Sequence, residues 1–406
     1  WLVAATALAS ASLLCTATLT VQPQVLQWAV HNSDADASAV AATNHDLAQL
    51  PKWLDSDEPL RLSFTKVSKL SKALHVPFGS LVRSFPTPQE EEPLLQYRTI
   101  NNNAAAMSNN LRDVIRAMRS RQDWVRDEMT SAGFEKNAIV GMAKNCRDSE
   151  SLAASIRHVL SLDDRHILKK QDSDRFRYVR KQTSDAGLMV MVDSMVGTSR
   201  RRLDINEFRA FVLLDDMAPL IFINRNDSYK GMMFSLLHEV GHVLLGTSEI
   251  YNDPMFEADR VDTERLINRA VVQTLVKDDD FKHVWLDHIG SGPIAAADEC
   301  AHLYGLSALT MTIHAHEMKL ATNQDVETVK SHTQQMLQVK ENTEKKRGGG
   351  NQNANIAFHL DDHYVWMINE SIQHGSLPYT DGFDLLGIRS LRAYDGLLRE
   401  KGLVDA

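Results

Sequence analysis

Residues 238–242 read His238-Glu239-Val240-Gly241-His242. Two histidines four residues apart lie on one face of a helix, so both can hold one metal ion. Glu239 stands beside them, where a metal-bound water would sit. The metal lowers that water's pKa toward neutrality, and the glutamate can take its proton. A hydroxide-like nucleophile beside a Lewis acid suits hydrolysis of an amide. A zinc site of this kind needs a third protein ligand and an open fourth position. The next helix, predicted over about 259–275, offers Glu257, Asp259, Asp262 and Glu264. Spacing alone does not choose among them.

Several elements must position these groups. Met233, Leu236, Leu237, Val240, Val243 and Leu244 fill the other faces of the motif helix, which predicts a buried helix. Leu188 to Val192, Phe208 to Leu214 and Leu220 to Ile223 are short apolar runs bounded by Gly, Asp and Pro. They read as strands of a small sheet. The run at Leu220–Ile223 is expected at the edge of the cleft, where an extended peptide can add as a further strand. Helical patterns follow from Met232 onward.

Residues 22–85 read as a series of short helices. Leu47, Leu50 and Trp53 recur at helical spacing, and so do Val67, Leu70 and Leu74. This is the scale of a helix-turn-helix domain. Its charges balance: Asp34, Asp36, Asp46, Asp55, Asp57 and Glu58 oppose Lys52, Arg61, Lys66, Lys69, Lys72 and Arg83. That is a weak footprint for DNA. Pro86 to Pro93 and Asn101-Asn102-Asn103 are polar breaks. A long basic helix then runs from about Asn109 to Thr130, with Leu111, Val114, Ile115 and Met118 as its apolar stripe. Its arginines predict a solvated face or contact with an acidic partner. Glu341 to Ala354 reads as a charged, Gly-rich connection.

The chain has 406 residues, 44 Lys plus Arg against 53 Asp plus Glu, and a formal charge of -9. Coating nucleic acid by charge alone is therefore disfavoured. The 19 glycines and 11 prolines exclude collagen-like and broadly disordered chains. Cys15, Cys146 and Cys300 are odd in number and far apart, which excludes a disulfide framework and points to a reducing, cytoplasmic compartment. Trp1 to Val21 carries no charge and is about as long as one membrane span. It is rich in Ala, Thr and Ser and lacks a basic leader, so an extension is favoured over a signal or anchor. No membrane association is expected.

The sequence around the motif resembles the ImmA/IrrE-type metallo-endopeptidases, which are often fused to an XRE-like helix-turn-helix. Phe222-Ile223-Asn224, Asp227-Ser228 and the run Phe234 to Gly246 are similar to that family's strand, loop and HExxH helix. Leu203-Asp204 with Glu207 to Phe211 resembles its upstream segment. Glu264 to Arg269 resembles its ExxxN element, in which the glutamate is the third zinc ligand. The resemblance thus selects Glu264, with Asn268 one turn further along the same face. Gly348-Gly349-Gly350-Asn351 and Gly375 to Leu386 are also family-like, and so are Trp28-Ala29 and Ala73 to Phe78. Ser235 and Ala210 stand where Thr and Gly are usual, and Gln273 replaces a frequent Glu.

Residues and resemblance together imply an α+β, mainly helical chain. An apolar extension (1–21) precedes a helix-turn-helix-like domain (22–85) and a linker with helical connector (86–177). A zincin-like metallopeptidase core (178–290) and a helical C-terminal region (291–406) follow. The implied activity is a zinc-dependent, gluzincin-like endopeptidase with His238, His242 and Glu264 on Zn2+ and Glu239 as base. The implied substrate is a protein, typically an XRE-type repressor or antitoxin. DNA contact through the N-terminal domain and a homodimer also follow by analogy. The rival expectation is a DNA-binding regulator whose zinc domain senses or binds a partner without cutting.

Other histidines are weaker candidates. His359 and His363 are four apart with Asp361 and Asp362 between them, a second candidate metal pair. His314 and His316 are two apart and cannot share a helix face, so they read as a polar surface. His283 and His288 flank Trp285 and are candidates to stabilise an oxyanion.

Overall fold

Strand-forming residues at 188–224 pair as β3 (Met189–Asp193), β4 (Ala210–Leu213) and β5 (Leu220–Asn224). The sheet order is β3-β5-β4, with β5 parallel to β3 and antiparallel to β4. This corrects the expectation that Leu220–Ile223 lies at an edge. Its backbone is paired on both sides, so no peptide can add to it. All three strands are apolar on both faces because helices cover the sheet.

The computed structural model describes residues 18–31, 37–74, 76, 78–85, 108–163, 171–197, 201–247, 257–343 and 352–404. The expected linker at Pro86–Pro93, the polar break at 101–103, Gly348 to Asn351 and most of the apolar stretch before Thr18 lie outside these residues. Among the described residues the chain is mainly helical with two small sheets. No described helix is long and apolar enough to cross a membrane. The described residues form two compact units, those up to Asp113 and those from Val114 onward.

In the first unit, β1 (Thr18–Val21) pairs antiparallel with β2 (Leu60–Ser63). The helices are α1 (Pro23–His31), α2 (Ala37–Thr43), α3 (Leu50–Leu54), α4 (Phe64–Leu74) and α5 (Phe78–Leu81). Leu47, Leu50, Trp53, Val67, Leu70 and Leu74 form its core, as their spacing predicts. The β-ribbon was not expected. Four-residue strands give too short a pattern to separate from neighbouring helices.

The second unit holds most of α6 (Asn109–Ser131), followed by α7 (Ser149–Val159) and α8 (Asp172–Asp185) before β3. After β5 come α9 (Tyr229–Leu245), α10 (Glu257–Leu275) and α11 (Asp278–His288). Then follow α12 (Pro293–Tyr304), α13 (Ala308–Glu317) and α14 (Asn323–Thr343). The chain closes with α15 (Gln352–His359), α16 (Asp362–Gln373), α17 (Tyr379–Leu386) and α18 (Leu391–Glu400). Val114, Ile115 and Met118 are buried on α6. Its arginines are not all solvated: Arg121 Nε donates to Leu385 O at 3.2 Å, and Arg126 pairs with Asp215 at 3.2 Å.

The outer edge of β3 is closed by side chains. Asp361 Oδ2 accepts from Val190 N at 3.0 Å, and Arg180 Nη2 donates to Val190 O at 2.8 Å. Such closure prevents further strand addition there.

Candidate metal centre

Local sequence fixes α9 at both ends. Ser228 caps it by accepting from Gly231 N at 3.1 Å. Asp227 pairs with Arg209 at 2.7 Å, which ties the loop before α9 to the residue preceding β4. A Cβ on Gly231 would collide with the Asp227 carboxylate, so a side chain there would have to displace it from Arg209. At the other end Gly246 adopts φ 65° and closes the helix in the left-handed conformation. Apolar residues surround the helix on all sides, and it runs through the core of the unit.

That burial carries the polar residues of the motif inward. His238, Glu239 and His242 are 1%, 2% and 2% exposed. Their helix meets α10 at Gly241, where an added Cβ would lie 2.8 Å from Ile267 Cγ2. The missing side chain is what lets α10 approach.

The approach brings three donor groups together. His238 Nε2 and His242 Nε2 are 3.1 Å apart. Glu264 Oε2 lies 3.3 Å from His238 Nε2, and its Oε1 lies 3.2 Å from His242 Nε2. Among the described residues this is the one His/Cys/Asp/Glu group able to hold a metal ion. The spacing fits a small tetrahedral ion, since bonds of about 2.0–2.1 Å place neighbouring ligand atoms roughly 3.3 Å apart. The Glu264 side chain is 28% exposed, so the cluster has an opening to solvent.

The second ring nitrogens complete the picture. His238 Nδ1 lies 3.1 Å from Asn268 Oδ1. The amide oxygen only accepts, so Nδ1 carries the hydrogen and Nε2 presents a lone pair. His242 Nδ1 lies 3.3 Å from Thr247 Oγ1, which can accept in the same way. Two imidazole lone pairs and a carboxylate then face one another. A set of acceptors alone repels itself and attracts a cation.

The four acidic candidates on α10 separate by position. Glu264 joins the cluster, whereas Asp262 is 81% exposed and lies 3.8 Å from Arg265. The side chains of Glu257 and Asp259 lie outside those described. Thr247 was not anticipated, although it directly follows the glycine that ends α9.

The remaining histidines are elsewhere. His359 lies 3.5 Å from Asp193 and 3.1 Å from Arg225, while His363 lies 3.6 Å from Asp185. They share no metal group. His283 and His288 are exposed and outside the cluster. His314 corrects the expectation of a polar surface. It is 2% exposed, on the same face as Met311 and Ala315, with Nε2 3.2 Å from Asp278 Oδ1. The i, i+3, i+4 pattern around it was the available signal.

No curated protein and no solved structure matches the chain. Residues 184–314 match the model of the Peptidase_M78 family, the IrrE N-terminal-like domain. The matched span includes β3 to β5, α9, α10 and all three members of the cluster. That segment is therefore similar to a metal-dependent family with metallopeptidase-like function.

Proposed function

We propose that this protein is a zinc-dependent endopeptidase of the gluzincin kind. His238, His242 and Glu264 hold the ion, and Glu239 is the general base. The observation that carries this reading is the convergence of two imidazole nitrogens and one carboxylate within 3.1–3.3 Å, beside a buried glutamate. Bound zinc supplies a Lewis acid that activates water and polarises a peptide carbonyl.

The rest of the chemistry belongs to the chain. Asn268 and Thr247 hold the two imidazoles with Nε2 turned inward. A carboxylate oxygen of Glu239 takes the proton of the attacking water and returns it to the leaving amine nitrogen. Gly241 keeps α10, and with it Glu264, close enough to α9 to share the site.

The proposed substrate is a protein, an XRE-type repressor or antitoxin, cut in the cytoplasm. The N-terminal unit is proposed as the helix-turn-helix-like, DNA-contacting part of a homodimer. These assignments rest on the family resemblance.

The test is metal content and proteolysis on purified protein. Wild type is expected to bind about one zinc per chain, as a single three-ligand site requires. His238→Ala should lose it. Glu264→Ala should weaken it far more than Glu257→Ala. Glu239→Gln should keep the metal and lose cleavage, because it removes the base and no ligand. Proteolysis retained by Glu239→Gln overturns the assigned role. Zinc binding without proteolysis in wild type favours the non-cleaving regulator.

A further inference from the structure

The C-terminal turn of α9 is clamped by a segment that precedes the matched residues. Gly141 N donates to Val243 O at 2.9 Å, and Ala143 N donates to Leu244 O at 2.7 Å. Gly246 packs against the same segment, and a Cβ on it would lie 3.0 Å from Gly141 Cα. These bonds satisfy carbonyls that the helix end leaves open. They also fix the backbone that carries Lys144 and Arg147 against the motif helix.

A cavity of about 450 Å³ opens between this segment and α10. Sites for small molecules usually measure about 300–1,000 Å³. None of His238, His242 and Glu264 lines it. It meets the cluster from the rear, through Thr247, which lines the cavity and whose hydroxyl is 3.3 Å from His242 Nδ1. The other ring nitrogen, Nε2, faces His238 and Glu264. Leu245 and Leu266 give the cavity an apolar part, and Lys144, Arg147 and Asp262 are its charged members.

Those charges do not cancel. Arg147 Nη1 donates to the carbonyls of Lys144 and Cys146, each at 3.0 Å, which orients the guanidinium. Its Nη2 and the Lys144 ammonium have no hydrogen-bond partner among the described residues. Asp148, next in sequence, accepts from Ser151 N at 2.8 Å and Ser151 Oγ at 2.9 Å. Asp262 lies 3.8 Å from Arg265. Two cations thus oppose one carboxylate that already has a cationic neighbour.

We propose that this cavity is a regulatory site for a small organic phosphate, and that its occupancy tightens the hold on zinc through Thr247. Lys144 and Arg147 bind the phosphate, and Leu245 and Leu266 pack on its apolar body. A phosphate monoester carries about two negative charges and several acceptor oxygens, which suits an ammonium beside a guanidinium. The relay is a chain of hydrogen bonds. His242 Nδ1–H donates to Thr247 Oγ1, which leaves the hydroxyl hydrogen to donate to a phosphate oxygen. Bonds in such a chain strengthen one another, and a stronger acceptor on Nδ1 makes Nε2 a better metal ligand. The binding half of the proposal stands without the endopeptidase reading, and the coupling half rests on the metal site of that reading.

The probe is phenyl phosphate, titrated calorimetrically into the full-length protein, first zinc-free and then zinc-loaded. Both cations are exposed, so zinc-free wild type is expected to bind it with a Kd of about 1 mM. Inorganic phosphate and phenol each carry half of the probe and should bind more weakly. Inorganic phosphate binding as tightly overturns the organic ligand, and benzoate binding as tightly overturns the phosphate. Lys144→Glu/Arg147→Glu should bind the probe at least about tenfold more weakly, with its melting temperature unchanged. Undiminished binding in that variant, or no saturable binding to wild type, overturns the site. Chelator competition then reads zinc affinity with and without saturating probe. Wild type should gain about threefold to fivefold, and probe affinity should rise by the same factor on zinc loading. Thr247→Val keeps the shape, loses the hydroxyl and should gain nothing. An unchanged wild type overturns the regulatory role, and a gain that survives in Thr247→Val overturns the relay. A protein that binds the probe and no zinc supports the site, and overturns the metal reading together with the relay built on it.

Discussion

His238 Nδ1 and Asn268 Oδ1 are 3.1 Å apart across the α9–α10 contact. The pair makes the orientation of His238 Nε2 depend on a residue of the next helix. Asn268 and Glu264 sit one turn apart on α10, so one helix supplies both a donor atom and the group that orients another.

Removing that orienting bond is expected to weaken zinc without unfolding the protein. Asn268→Ala should lower zinc affinity by about 10–100-fold, the range for such partners. Asn268→Asp keeps an acceptor and should retain most of the affinity. Competition against a chromogenic chelator measures both. Equal affinity of Asn268→Ala and wild type would show that His238 needs no help from α10.

The helix contact itself makes the second prediction. In Gly241→Ala the new Cβ meets Ile267 Cγ2 at 2.8 Å unless α10 retreats. Overpacking costs about 1–3 kcal/mol. The better helix propensity of alanine returns up to about 1 kcal/mol, so a net loss of about 1 kcal/mol is expected. Zinc affinity should fall as well, because α10 carries Glu264 and Asn268. Adding Ile267→Ala removes the clashing methyl, so the double variant should be more stable than the two single losses added together. Calorimetric melting and the chelator assay decide it. Simple additivity of the two losses would place the strain elsewhere.

Local patterns in the sequence carry much of this site, and distant contacts carry the rest. His238 and His242 are legible because four-residue spacing on a helix already implies one face. Glu264 is not legible from spacing, since Asp262 is equally placed in sequence. It needed the resemblance of 264–269 to a known element. The strands at 189–193, 210–213 and 220–224 could be read from apolar runs, but their order could not. Whether β5 is central depends on pairing between segments about thirty residues apart, and no local pattern encodes that. The clamp of Gly141 on Gly246 is hidden for the same reason. Its residues are about a hundred positions apart, and each is an ordinary turn glycine by itself.

His314 gives the third prediction, which concerns pH. It is buried against Asp278 and Phe281. Burial pushes its pKa below the ordinary 6.5, against the upward pull of Asp278 and Glu317 and with Arg269 adding to the fall. Burial lowers His359 in the same direction, with Asp193 opposing. In the window between the folded pKa and 6.5 the unfolded chain binds more protons than the folded one. Stability therefore rises with pH through that window, is fully present above 6.5, and is lost as the pH falls below it. Wild type should melt at progressively lower temperature as the pH is taken from about 7 to about 5. His314→Gln does not titrate there, so its melting temperature should fall less steeply over the same range. The difference between the two slopes, taken at one zinc concentration, cancels the metal ligands and isolates His314. Identical slopes would mean that folding does not shift His314, and a wild type that falls less steeply than His314→Gln would mean that His314 keeps its proton in the folded state, as a charged partner of Asp278.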